Sequence, residues 1–267
     1  MPLVLGPFNY TAGSFQSYDS NRVLRPISIP QGNGSNPRIM LLEETWNNVP
    51  QGRVWDSAFI LKDIFTKQVQ DRLEGSRPPI FAGKRILDLS AGTGLLGVFL
   101  AGLAQVEMDL LLLRGRPNAT NRDGITNSST THISNAPPST TVVLTDLEDA
   151  MELIQRNIAS NKRRIAPNVS IEAKPLIWGS SPLTRLKADP FDVVIASDVV
   201  YQVDSFNSLL ETLYDLCTPG HTTLYLGYKW RALDIDMERQ FFEKLSAMFS
   251  VEKSLHDLEV QVWCLKR

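Results

Sequence analysis

Residues Arg85–Gly97 read Arg-Ile-Leu-Asp-Leu-Ser-Ala-Gly-Thr-Gly-Leu-Leu-Gly. A basic residue opens a short apolar run, Asp88 puts one carboxylate in it, and small residues from Ser90 to Gly94 lead into an apolar helical pattern. The spacing predicts strand, tight turn, helix. Glycines in such a turn let the backbone approach a ligand closely, and the helix that follows offers unpaired N–H groups. Gly92, Gly94 and Gly97 trace the dinucleotide fingerprint, so a nicotinamide or flavin enzyme is one reading. Asp88 points elsewhere: an acid ahead of the turn would repel a pyrophosphate but suits a ligand that carries an ammonium group.

The elements around this turn follow a repeating order. Two β-prone runs, Val23–Pro30 and Arg38–Glu43, flank Asn33-Gly34 and predict an N-terminal hairpin after a loosely held arm over 1–20. Residues 53–69 carry apolar side chains at helical spacing, with Trp55 just ahead and Asp56 or Ser57 as candidate caps. Leu95–Ala104 continues the central turn as an apolar helix. From Arg114 to Thr140 the chain is rich in Asn, Thr, Ser, Gly and Pro without hydrophobic period, which predicts a disordered insertion over 114–140.

Order resumes at Thr141–Asp146, a β-branched run ending in an acid and followed by a helical pattern. An acid that grips ribose hydroxyls normally follows the glycine turn by about 20 residues. Asp146 lies much farther on, and the insertion accounts for the excess. Glu107 and Asp109 are nearer that spacing, but neither ends a strand. Further strands are expected at Val169–Ala173, with Trp178 just beyond it, at Phe191–Ser197, ending in Ser197-Asp198, and at Thr222–Tyr228. Helices are expected at Phe206–Cys217 and Met237–Phe249, and Ser250–Leu255 with Val260–Leu265 as a closing antiparallel pair. Alternating strands and helices indicate an α/β, doubly wound sheet whose ligands sit beyond the carboxyl ends of the strands.

The bulk numbers narrow the classes. The chain has 267 residues, 43% hydrophobic and 21% charged, with a formal charge of −2, which gives no bias toward nucleic acid. Cys217 and Cys264 are too few for a disulfide framework, and His132, His221 and His256 share no metal-ligand spacing, so no metal is expected. The apolar stretch Leu95–Leu113 is broken by Gln105, Glu107 and Asp109, arguing against a membrane span, and no secretory leader is evident. A cytoplasmic monomer is the expectation.

The Asp88 to Gly94 segment resembles motif I of the seven-strand methyltransferases that bind S-adenosylmethionine. Ser90 stands where that pattern has glycine, a departure that could weaken the cofactor site without abolishing it. With Trp55, Thr145-Asp146-Leu147-Glu148, Trp178-Gly179 and Ser197-Asp198-Val199-Val200-Tyr201, the chain is similar to the family-16 protein lysine methyltransferases across Val54–Tyr228. The resemblance implies a mostly parallel seven-strand Rossmann-like sheet. It divides the chain into a 1–50 arm and hairpin extension and a 51–267 methyltransferase domain.

It further implies a cofactor site of Trp55, the Ser90-Ala91-Gly92 turn, Asp146, Trp178 and Ser197. Asp88 would hold the ammonium, directly or through water. On the substrate side it assigns Asp198 and Tyr201 to the approaching lysine, whose spacing alone is equally compatible with a helix cap and a packed ring. The branches it resembles methylate a valosin-containing AAA ATPase or translation elongation factors, and the motifs do not separate them. A small-molecule methyltransferase, a nicotinamide oxidoreductase and a non-catalytic binding module are the competing readings. Nucleobase amino-methyltransferases typically carry prolines where this chain has Val199-Val200.

Overall fold

The computed structural model describes residues 15–16, 22–31, 36–45, 50–74, 77–114, 139–180, 186, 189–231, 233–257 and 259–267. The expected insertion therefore lies almost wholly outside the described residues, as do the Asn33-Gly34 turn and most of the N-terminal arm.

Strand β4, Arg85–Leu89, is the centre of the sheet, with Ile86, Leu87 and Leu89 fully buried. It pairs in parallel with β5 (Thr140–Asp146) and β7 (Val193–Ser197). A continuous apolar run suits a strand covered on both faces. Outward from these lie β6 (Val169–Pro175) and β8 (Thr223–Lys229), both parallel. Beyond β8 come β10 (Val260–Lys266), antiparallel to its neighbours, and β9 (Ser250–Asp257). The order β6-β5-β4-β7-β8-β10-β9 is the doubly wound seven-strand sheet expected, with the antiparallel pair built into its edge.

Helices α1 (Asp56–Glu74), α2 (Leu95–Arg114) and α3 (Met151–Asn161) cover one face, where Leu61, Phe65, Phe99 and Ile154 enter a common core. Helices α4 (Phe206–Leu216) and α5 (Ile235–Met248) cover the other, burying Leu209, Leu213 and Phe241. Gly97 lets α2 lie against β5: a Cβ there would stand 2.5 Å from Leu144 Cγ.

Helix α2 runs ten residues past the expected end at Ala104. Of the polar residues that seemed to break it, Gln105 and Glu107 are buried and Asp109 is half-buried. Glu107, 2% exposed, accepts the N–H groups of Ile80, Phe81 and Ala82 at 2.9, 2.7 and 2.8 Å. It is a bracket for the segment entering β4 and has no place at the ribose. The window Leu95–Leu112 is apolar enough to cross a membrane, yet 78% of it is buried in the protein, as befits a core helix.

The N-terminal hairpin, β2 (Arg22–Ile29) and β3 (Arg38–Thr45), is present, and Phe15–Gln16, expected within a loose arm, forms β1 against β2. Ile27, Ile29, Met40 and Leu42 join the same core as α2. The edge of β3 is completed by two asparagines four apart on α3, hence on one helix face. Asn157 accepts from Glu43 N at 2.6 Å and donates to Glu43 O at 2.9 Å, and Asn161 does the same for Leu41 at 2.9 and 2.6 Å. Asn157 also donates to Thr93 O at 2.8 Å, which ties the hairpin to the glycine turn.

Candidate functional site

The site begins at the carboxyl end of β4, where the chain reverses through left-handed residues: Ser90 at φ 57°, Gly92 at 58° and Gly94 at 81°. Glycine adopts this conformation freely and serine does not. Ser90 is held there in part by Trp178, whose indole N–H donates to its hydroxyl at 3.1 Å.

Asp146, at the end of β5, accepts from Gly92 N at 2.7 Å through Oδ2 and from Leu147 N at 2.8 Å through Oδ1. It is 6% exposed and lies in the wall of a cavity of about 250 Å³ that also touches Ser90, Gly92 and Trp178. Burial raises its pKa, the two N–H groups lower it, and Asp149 raises it again. A carboxylate oxygen holds more than one acceptor site, so the backbone bonds leave capacity for hydroxyls.

Below the turn a recess of about 40 Å³ is lined by Asp88, Ala91 and Trp55 among others. Asp88 is 2% exposed, and its Oδ2 accepts Gly97 N at 2.8 Å. Burial pushes its pKa up to about 7 against the lowering by Gly97, with the Asp146 charge adding to the rise. Trp55 borders both spaces, donates from its indole to Pro50 O at 3.0 Å, and has the Arg231 guanidinium 4.9 Å from its ring centre.

At the far side, Ser197 and Asp198 end β7. Asp198 takes φ 55°, and its carboxylate, 4% exposed, accepts from Ser57 N at 3.0 Å and Arg231 at 3.2 Å. It therefore caps α1 from a distance, the part that Asp56 or Ser57 was expected to play; Asp56 instead pairs with Lys229 at 2.7 Å. Tyr201 is half exposed on the cavity rim, so it is no packed ring, and burial followed by the Asp146 charge raises its pKa.

Every residue that the resemblance assigned to the site thus lines one of two adjoining spaces at one edge of the sheet. Two others belong there and were missed. Gln51 lines the cavity and Arg231 backs it. No local motif marks either; Arg231 follows the end of β8 by two residues, and only the rule that ligands gather at carboxyl ends could have pointed to it.

A family profile described as lysine methyltransferase matches residues 34–114 and 124–248. The chain belongs to the lysine methyltransferase family. It is 30% identical over 210 residues to EEF1A lysine methyltransferase 3 of Mus musculus, spanning 79% of this chain and 68% of that one. It is 25% identical over 228 residues to a UPF0665 family protein of Schizosaccharomyces pombe, 84% of this chain and 55% of that one. It is likewise 25% identical over 224 residues to Protein N-lysine methyltransferase METTL21A of Danio rerio, 84% and 79%.

For a lysine methyltransferase the methyl donor is S-adenosylmethionine, and the residues present fit it. The Ser197 hydroxyl and the Gln51 amide oxygen are buried beside the cavity without a hydrogen-bond partner among the described residues. Gly92 presents only backbone: a Cβ there would stand 3.4 Å from Gln51 O and 3.8 Å from Arg53 O. An indole, two carboxylates and a turn of small residues match an adenine, a ribose and an amino acid.

Proposed function

We propose that this lysine methyltransferase holds S-adenosylmethionine across the carboxyl ends of β4, β5 and β7 and modifies a lysine of a translation elongation factor of the EEF1A type. The observation that carries the cofactor assignment is Asp146, a buried carboxylate hydrogen-bonded to the glycine turn and facing the cavity beside Trp178. Asp146 accepts the ribose hydroxyls, Trp178 flanks the adenine, and Ser197 and Gln51 satisfy polar edges. Asp88 receives the ammonium in the recess, and Trp55 covers the methionine end, where an aromatic face favours a cation.

When bound, the cofactor would supply a methyl group on a sulfonium, whose carbon a neutral amine attacks in line as the thioether leaves. The residues of this chain align the two and exclude water. A free lysine is neutral in only ~0.1% of molecules near pH 7. Asp198 and Tyr201 guide the amine at the rim, and the apolar walls disfavour its charged form.

The EEF1A assignment follows the mouse relative's name; the Thr145-Asp146-Leu147-Glu148 motif leaves the AAA ATPase as the second substrate to test. We assign a monomeric, cytoplasmic protein, a setting in keeping with two free cysteines.

Calorimetric titration with S-adenosylhomocysteine tests the cofactor reading. Binding in the micromolar range, lost in Asp146→Ala and absent for a nicotinamide dinucleotide, is the expected result. Wild-type protein that binds only the dinucleotide would overturn it. Labelled-methyl transfer to purified elongation factor 1A, with the AAA ATPase as the alternative, then tests the substrate.

A further inference from the structure

Arg231 does not line the cavity, yet it touches two residues that do. Its guanidinium lies over the Trp55 ring and bonds the Asp198 carboxylate at 3.2 Å, and Asp56 stands 3.7 Å away. We propose that Arg231 is a positioning residue for methyl transfer, fixing Trp55 and Asp198 to one another from behind the cavity wall and cancelling the carboxylate's charge where the amine enters. This rests on the reading of Asp198 and Tyr201 as the lysine side of the site.

The geometry supports it in two ways. Asp198 sits at a positive φ, a strained conformation for a side-chain-bearing residue, and persists only where surrounding bonds fix it. Ser57 N, Gly227 O and Arg231 are those bonds. The second concerns charge. An unpaired carboxylate at the mouth would bind the target lysine as an ammonium, the form that cannot attack. Paired with Arg231, Asp198 offers oxygen atoms without a net negative field.

The surrounding charges are mostly negative, Asp204 on the cavity wall among them. Asp56 of α1 pairs with Lys229 of β8, which also holds Glu259. Glu238 of α5 acts on Tyr228 alongside Arg231 and Asp198. Asp146 and Tyr201 line the same cavity, the carboxylate being felt at the phenol. Arg231 is the cation paired with Asp198, so removing it deepens a field that is already negative.

The probe is n-butylamine, which carries the end of a lysine side chain, titrated into the S-adenosylhomocysteine complex of wild type, Arg231→Gln and Arg231→Lys. At about pH 7 the amine is a cation. Arg231→Gln is expected to bind it roughly tenfold more tightly, as an uncompensated carboxylate attracts it. Arg231→Lys, which keeps the charge, should return affinity toward wild type. In methyl transfer to elongation factor 1A, Arg231→Gln should lower kcat roughly tenfold or more and move the acidic limb of the profile to higher pH.

A purely structural arginine would give the opposite: weaker amine binding in Arg231→Gln and an unmoved limb, and either overturns the proposal. The amine titration decides it even where elongation factor 1A proves not to be a substrate. Wild-type protein inactive on elongation factor 1A would count against the substrate reading alone.

Discussion

The Trp178 indole donates to the Ser90 hydroxyl across 3.1 Å, and Ser90 holds a backbone conformation that glycine takes without cost. The hydrogen bond and the strain oppose each other at one residue. Ser90→Gly removes both, at about 1 kcal/mol each, and should leave the denaturation midpoint nearly unchanged. Ser90→Ala keeps the strain and loses the bond, so it should be less stable by about 1 kcal/mol. Trp178→Phe should cost less in the Ser90→Ala background than in wild type. Additive losses in urea denaturation would show that the bond contributes nothing.

Asp88 sets a pH dependence of definite sign. Its pKa in the fold, raised to about 7, exceeds its ordinary value of 3.8, so between these limits the folded protein binds more protons than the unfolded chain. The stability of the ligand-free protein should therefore fall as pH rises from about 4 to about 7 and then level off. Asp88→Asn abolishes the ionisation. At about pH 8 it should be the more stable protein, by up to about 4 kcal/mol, with the advantage vanishing near pH 4. Its affinity for S-adenosylhomocysteine should nevertheless fall, because the ionised carboxylate is what the ammonium needs. Thermal melts and titrations across pH check both directions.

Glu107 has no contact with the site, yet its loss should be severe. Glu107→Ala leaves the amides of Ile80, Phe81 and Ala82 without their acceptor, at a cost of about 3 kcal/mol or more. Glu107→Gln can still accept from Phe81 and Ala82 but turns an NH₂ toward Ile80, so an intermediate loss is expected. The urea midpoint measures it. Cofactor affinity of the folded fraction should be unaffected.

Gly52 links the hairpin to the glycine turn. A Cβ there would stand 2.2 Å from Thr45 O, so the segment carrying Gln51 and Arg53 over Gly92 would have to move. Gly52→Ala is expected to weaken S-adenosylhomocysteine binding by roughly tenfold, through displacement of a cavity wall rather than loss of a ligand group. A titration read beside a thermal melt separates this from unfolding.

Much of the sheet was legible because buried strands are short apolar runs and their carboxyl ends carry the acids and the tryptophan. Helix α2 was truncated in the reading because Gln105 and Glu107 look like solvent-facing breaks. Nothing local reveals that three amides some 25 residues upstream are waiting for Glu107. Asp198 was legible as the acid that ends β7, but its partners, Ser57 at 141 residues' distance and Arg231 at 33, are products of the tertiary fold. Ser90 stood out as a departure from the motif, while the indole that accommodates it lies 88 residues on.

Asn157 completes the edge of β3 from 114 residues farther along the chain. During synthesis, at about 5–20 residues per second, the hairpin is finished on the order of ten seconds before α3 exists to receive it. Until α2 is made, Ile27, Ile29, Met40 and Leu42 lack the helix they pack against, and until α3 is made β3 offers an open row of amides and carbonyls. The nascent chain thus carries an adhesive strand edge for as long as α3 is missing, and chaperone demand should concentrate on this segment.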